Sequence, residues 1–247
     1  MIDLKFTKRA GNRLAYRHRP AIASGRPTIV FLPGYMSDME GGKATTLDAW
    51  AKATGNAMLR LDYAGCGASD GDFADQTLET WRDDVVHLLD TVVEGPVLLV
   101  GSSMGGWLML LVALARPERV AGLVGIAPAP DFTGWGFSDA DRAKLARGET
   151  LSEPSAYSDD PYITTAAFWR SGEANRLLGG EIALTCPVRL LHGQADADVP
   201  WEISLQLAGK LASADVQVRL VKDGDHRLSR DADLDLLIQT VSDLIEG

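Results

Sequence analysis

The chain is poor in sulfur, in histidine and in positive charge, and it lacks any stretch suited to a bilayer. Its two cysteines, Cys66 and Cys186, lie far apart with no metal-ligand spacing around them, so reduced thiols in a cytoplasmic setting are expected and a disulfide framework or zinc site is not. No apolar run approaches the roughly 18 residues of a membrane span; the longest obvious one is Trp107 to Ala115. The formal net charge of −10 opposes phosphate backbones and anionic lipid, which argues against a nucleic-acid partner and against stable membrane insertion. Internal repeats, low-complexity tracts and a secretory apolar segment are likewise missing. The basic N-terminal residues fall on an alternating pattern, Leu4 and Phe6 then Leu14 and Tyr16, around Gly11 and Asn12. That pattern predicts a hairpin, a structural element in place of a targeting address.

What remains is the composition of an ordinary globule, 46% hydrophobic and 23% charged over 247 residues. One domain spanning 1–247 is expected, with an inserted segment at about 128–185. Short apolar or β-branched runs recur at Thr28 to Leu32, Ala57 to Leu61, Val97 to Gly101, Leu123 to Ala127, Val188 to His192 and Val216 to Val221. Helical periods separate most of them. Leu78, Trp81, Val85, Leu88 and Leu89 share one face, as do Leu234, Leu237, Ile238, Val241 and Leu244. Strands alternating with helices predict an α/β fold with a mainly parallel sheet, whose ligands gather at the carboxyl ends of the strands. The interval from Ala127 to Val188 is too long for a single crossover helix. It concentrates Phe132, Trp135, Phe137, Tyr157, Tyr162, Phe168 and Trp169, which predicts a small aromatic cap over the strand ends.

The most informative segment is Gly101, Ser102, Ser103, Met104, Gly105, set between the apolar run Pro96 to Val100 and the helical pattern Gly106 to Leu111. Small residues two places either side of a serine, at a strand-to-helix turn, form a nucleophile elbow that holds the hydroxyl out at the strand tip. Ser103 is the expected nucleophile.

A serine hydroxyl needs an adjacent base, itself oriented by a carboxylate. Of the four histidines, His18 lies in the N-terminal hairpin, His87 in an amphipathic helix, and His192 opens a turn that positions Asp196. His226, in the loop Lys222 to His226 after the last strand, is the expected base. Asp196 and Asp198 both follow the penultimate strand, and Asp131 follows the strand before it. Asp196 is preferred for lying three residues beyond Gly193, whereas Asp198 is placed to cap a helix near Trp201; Asp131 ranks third. Preorganised oxyanion donors are expected from the backbone N–H of Met104 and from that of Tyr35, in the loop Pro33, Gly34, Tyr35, Met36. The stretch Asp62 to Ser69 reads as a turn whose glycines serve backbone geometry, since no lysine follows in phosphate-loop fashion.

Together these residues resemble the α/β-hydrolase superfamily across essentially the whole chain. Its acyl-protein thioesterase and acyl-glucuronide esterase branch is resembled most at Phe31 to Tyr35, at Asp62 and Tyr63 with Gly65, Gly67 and Ser69, at Gly101 to Leu110, and at Arg189 to Gly193 with Val199 to Trp201. Pro33 stands where many relatives carry histidine; the main-chain donors are unaffected. The resemblance implies the α/β-hydrolase fold, with a mainly parallel eight-stranded sheet, helices on both faces and a small inserted cap. It also implies a Ser103, Asp196, His226 triad that cleaves carboxylic esters or thioesters of apolar acyl groups. The substrate would be a small-molecule acyl ester or thioester, or an acylated protein, without metal or organic cofactor. Trp135, Phe137 and Met36 would line the acyl pocket. Cleavage of a peptide or carbon–carbon bond on the same scaffold is the alternative chemistry, and a non-catalytic binding module the alternative class.

Overall fold

A computed structural model describes residues 2–22, 25–154 and 161–246, so Tyr157 lies outside the described residues. The chain opens with β1 (Lys5–Arg9) and β2 (Asn12–Arg19), followed by β3 (Thr28–Leu32), α1 (Gly42–Thr54), β4 (Met58–Leu61) and α2 (Leu78–Thr91). Then come β5 (Val97–Ser102), α3 (Met104–Ala115) and β6 (Val120–Ile126). An interposed segment holds α4 (Phe132–Trp135), α5 (Asp139–Ala146), β7 (Leu151–Glu153), β8 (Tyr162–Thr164) and α6 (Ala166–Ala174). The chain closes with β9 (Val188–Gly193), α7 (Glu202–Lys210), β10 (Val216–Val221) and α8 (Asp231–Glu246).

Eight strands form one sheet in the order β1-β2-β4-β3-β5-β6-β9-β10. The β1–β2 and β2–β4 pairs are antiparallel, and every later pair is parallel. The hairpin is present with its turn one residue earlier than the pattern suggested. Arg9 pairs with Asn12, so Ala10 and Gly11, both at positive φ, make the two-residue connection.

Residues of β3 and β5 are buried throughout, as expected of strands covered on both faces. Their alternation divides the core in two. Val30, Leu32, Val97 and Leu99 face the helical layer containing α2 and α3, while Ile29, Phe31, Leu98 and Val100 face α1 and α8. Helix α3 is buried on nearly every side, which explains why its sequence shows no polar face.

Between β6 and β9 the chain leaves the sheet, and Asp131, itself at φ 58°, anchors its return. Both carboxylate oxygens of this fully buried side chain accept backbone N–H groups, from Leu177 at 2.7 Å and Leu178 at 2.8 Å. The third-ranked triad candidate is therefore occupied in holding the end of the interposed segment. Phe168 and Trp169 pack inward, Phe168 against Trp81 and Tyr35, and Trp169 through an Nε1–H bond to the Thr133 carbonyl.

Candidate active site

Ser103 directly follows β5 at φ 55° and ψ −121°, a backbone conformation that L-residues rarely adopt. It occupies the N-cap position of α3, where a serine oxygen ordinarily accepts an N–H from the first turn. No such cap bond forms. The hydroxyl instead lies 3.1 Å from His226 Nε2.

The elbow exists because the chain can close up behind it. A Cβ on Gly105 would sit 2.1 Å from the Leu32 carbonyl oxygen, so only glycine lets α3 start against the end of β3. A similar close approach joins the other two loops: a Cβ on Gly193 would fall 2.1 Å from the Gly224 carbonyl oxygen, and the Ala195 N–H donates to that same oxygen at 2.9 Å. The turn after β9 and the loop after β10 are thereby locked together, and these carry Asp196 and His226.

His226 Nδ1 lies 2.8 Å from Asp196 Oδ2. The Asp196 side chain is 0% exposed, and its other oxygen accepts the backbone N–H groups of Asp198 and Val199, each at 2.9 Å. Burial by itself pushes this carboxyl up; hydrogen bonds from His192, His226 and Val199 outweigh it and hold Asp196 well below the usual carboxylate range. Asp198 does not cap the following helix, since α7 begins at Glu202 with no side-chain cap. It lines the cavity beside His226 instead.

The residue that sequence reasoning undervalued is His192. It is fully buried at the end of β9, with Nε2 3.1 Å from Asp196 Oδ2 and from the Val199 carbonyl, and Nδ1 2.7 Å from Ser204 Oγ. An alternating strand pattern cannot distinguish a core histidine from a site histidine; the four-residue spacing to Asp196 was the available signal.

The loop after β3 runs alongside the elbow. A Cβ on Gly34 would meet Ser103 Cβ and the Ser102 carbonyl at 3.4 Å, so the loop that continues into Tyr35 packs against the elbow. Among the described residues, neither the Tyr35 nor the Met104 N–H donates to a protein acceptor. The Tyr35 side chain points away from solvent, donating to the Ile163 carbonyl in β8 and packing against Phe73, Phe132 and Phe168. Burial pushes its phenol well above the usual range.

A cavity of about 530 Å³ opens over Ser103 and His226, within the size range of small-molecule sites. Met36, Trp135 and Phe137 line it, together with Phe132 and Tyr162. One rim is polar. Lys43 donates to the Arg227 carbonyl there, and burial together with the neighbouring Arg227 pushes its ammonium down to about 8.

Asp196, Asp198 and His226 each offer a potential metal-ligand atom within 4.8 Å of the others. Yet the two oxygens of Asp196 already face four N–H donors, so a cation there would have to displace at least one of these hydrogen bonds. The donor set suits a hydrogen-bonded carboxylate, not a metal centre.

A mostly parallel eight-stranded sheet, with a strained serine after its fifth strand facing an imidazole and a carboxylate from the last two strand ends, defines the α/β-hydrolase class. The sequence model of the Alpha/beta hydrolase family matches residues 29–239, and the chain belongs to that family. Mitochondrial palmitoyl-protein thioesterase ABHD10 of Mus musculus is 46% identical over 239 residues, which cover 94% of this chain and 79% of that protein. The Homo sapiens counterpart is 43% identical over 224 residues, 89% and 73% respectively. The solved structure of mouse alpha/beta hydrolase domain-containing protein 10 superposes with a TM-score of 0.90 at 42% identity, covering 99% of this chain and 98% of that one. A putative hydrolase from Agrobacterium vitis S4 gives 0.93 at 39% identity, with 99% of both chains covered.

Proposed function

We propose that this protein is a serine hydrolase that cleaves esters or thioesters of apolar acyl groups through an acyl-enzyme on Ser103. The observation that carries the reading is the continuous hydrogen-bonded line from Ser103 Oγ through His226 to Asp196 at the floor of an aromatic-lined cavity. His226 Nε2 takes the hydroxyl proton as Ser103 Oγ attacks the acyl carbonyl, while Nδ1–H stays bonded to Asp196. Charge develops on the carbonyl oxygen toward the Tyr35 and Met104 N–H groups, neither of which donates to a protein acceptor among the described residues. His226 then gives its proton to the departing alcohol or thiol. A water, deprotonated by the same nitrogen, attacks the acyl carbon, and the free acid leaves with Ser103 regenerated.

The interposed segment acts as a cap whose rings Trp135 and Phe137, with Met36 from the sheet side, receive the acyl chain. Similarity to palmitoyl-protein thioesterases favours long-chain acyl groups and makes an acylated protein an eligible substrate. No helix among the described residues is long and apolar enough to cross a membrane. A panel of p-nitrophenyl esters and acyl thioesters of increasing chain length tests the reading. Turnover rising with apolar chain length and lost in Ser103→Ala is the expected result; an intact protein that turns over neither class would overturn it.

A further inference from the structure

We propose that His192 is a positioning residue for this site, acting on Asp196 from the side opposite His226; the inference rests on the triad reading above. His192 Nε2 lies 3.1 Å from two oxygens that can only accept, the Asp196 carboxylate and the Val199 carbonyl. That nitrogen must carry the proton. Nδ1 then accepts from the Ser204 hydroxyl at 2.7 Å, and Ser204 is as fully buried as His192 itself. The tautomer is fixed by neighbours that have no alternative arrangement.

Asp196 Oδ2 thus receives two imidazole N–H groups, from His226 at 2.8 Å and from His192 at 3.1 Å, while Oδ1 receives two backbone N–H groups. Four donors fill the carboxylate. Its plane cannot rotate without breaking at least one of these bonds, so the direction it offers to His226 Nδ1 is set before substrate arrives. His192 has a second effect. By sharing Oδ2 with His226 Nδ1 it takes up part of the hydrogen-bonding capacity of that oxygen, so the carboxylate that faces His226 is already partly neutralised. Among the described residues, the charged groups around the pair include Asp198 on the same turn, Asp225 and Arg227 flanking His226, and Lys43 reaching in from α1, with Asp38 and Glu153 farther along the cavity lining. All are retained in the variants below, so a difference between variants is assigned to position 192.

The two imidazole nitrogens can be separated by substitution. Asparagine places its amide near Nδ1, keeping a partner for Ser204 but falling short of Asp196; glutamine reaches the Nε2 position and keeps a donor to Asp196. The expected result for His192→Asn is a kcat about tenfold lower with KM within about twofold, because the carboxylate is no longer held in line with His226 Nδ1. The acidic limb of kcat/KM, which reports protonation of the general base, should move about half a unit to higher pH. His192→Gln should restore the limb and most of kcat. A limb that stays put in His192→Asn while kcat falls, or Asn and Gln variants that behave alike, would reduce His192 to a packing role and overturn the proposal. Should the Asn variant fail to fold, nitrogen-15 spectra of the wild-type imidazoles decide the matter: a proton on Nε2 of His192 is required, and one on Nδ1 refutes it. Ser103→Ala is the control for the underlying reading. Turnover surviving in that variant would discard the triad itself, whereas its loss beside an unmoved limb discards only the role of His192.

Discussion

Replacing Ser103 by glycine should give a protein that is inactive yet more stable than its alanine counterpart. Both substitutions remove the hydroxyl and its bond to His226, so that loss cancels between them. They differ in what the backbone must bear. At φ 55° and ψ −121° a residue with a Cβ carries strain of about 1–3 kcal/mol, which glycine escapes. Against this, glycine gives up about 0.5–1 kcal/mol of extra backbone entropy on folding. The difference leaves Ser103→Gly more stable than Ser103→Ala by roughly 0–2.5 kcal/mol, centred near 1. At about 2–4 °C per kcal/mol for a chain of this size, the glycine variant should melt about 2–4 °C higher at the centre of that range and no more than about 10 °C higher at its upper end. Urea unfolding of the two variants, with equal slopes in denaturant, is the assay. If alanine proves the more stable by about 1 kcal/mol, the ordinary helical preference, no strain is stored at the elbow and the local argument for the nucleophile fails.

Gly105→Ala would force a Cβ to within 2.5 Å of both the Leu32 and Pro33 carbonyl oxygens, so a loss of about 1–3 kcal/mol in stability is expected. Activity should fall further, because the displaced loop carries the Tyr35 amide; unchanged kcat in the folded variant would contradict that. Asp84 is buried between the Ala64 N–H and Arg9, and burial pushes its carboxyl up to about 6. A carboxyl whose folded pKa exceeds its unfolded value binds an extra proton when folded, so its stabilising contribution is full below about pH 4 and is lost as pH rises through about 6. Asp84→Asn should flatten the wild-type decline in urea midpoint across that window, and an unaltered slope would refute the assignment. Trp135→Ala and Phe137→Ala should change acyl-chain preference more than melting temperature; equal selectivity to wild type would remove both rings from the acyl pocket.

The sheet was readable because strands covered on both faces are written as unbroken apolar runs, Ile29 to Leu32 and Val97 to Val100, whose alternate residues belong to different halves of the core. The elbow was readable for a different reason: glycines at 101 and 105 are required by contacts under 2.5 Å to neighbouring backbone, so spacing and chemistry coincide. The choice of Asp196 over Asp131 and Asp198 rested on loop position, and the geometry gives Asp196 the contact to His226. The actual task of Asp131 was not legible, because its acceptors are filled by Leu177 and Leu178, some 46 residues away in sequence. His192 was missed for the same reason: its contact with Ser204 depends on how α7 folds back over the end of β9. Among the aromatics of the interposed segment, composition marked the cluster but could not say that Phe168 packs toward Trp81 while Phe137 faces the cavity, since that depends on how the segment docks against α2 and the strand ends.

The covalent intermediate is the most direct test of the whole account. Protein quenched with acid during turnover of an excess long-chain acyl thioester should gain the mass of one acyl group, carried on the peptide that contains Ser103, and the gain should vanish in Ser103→Ala. An acyl group found on any other residue, or steady thioester hydrolysis by the alanine variant, would contradict it.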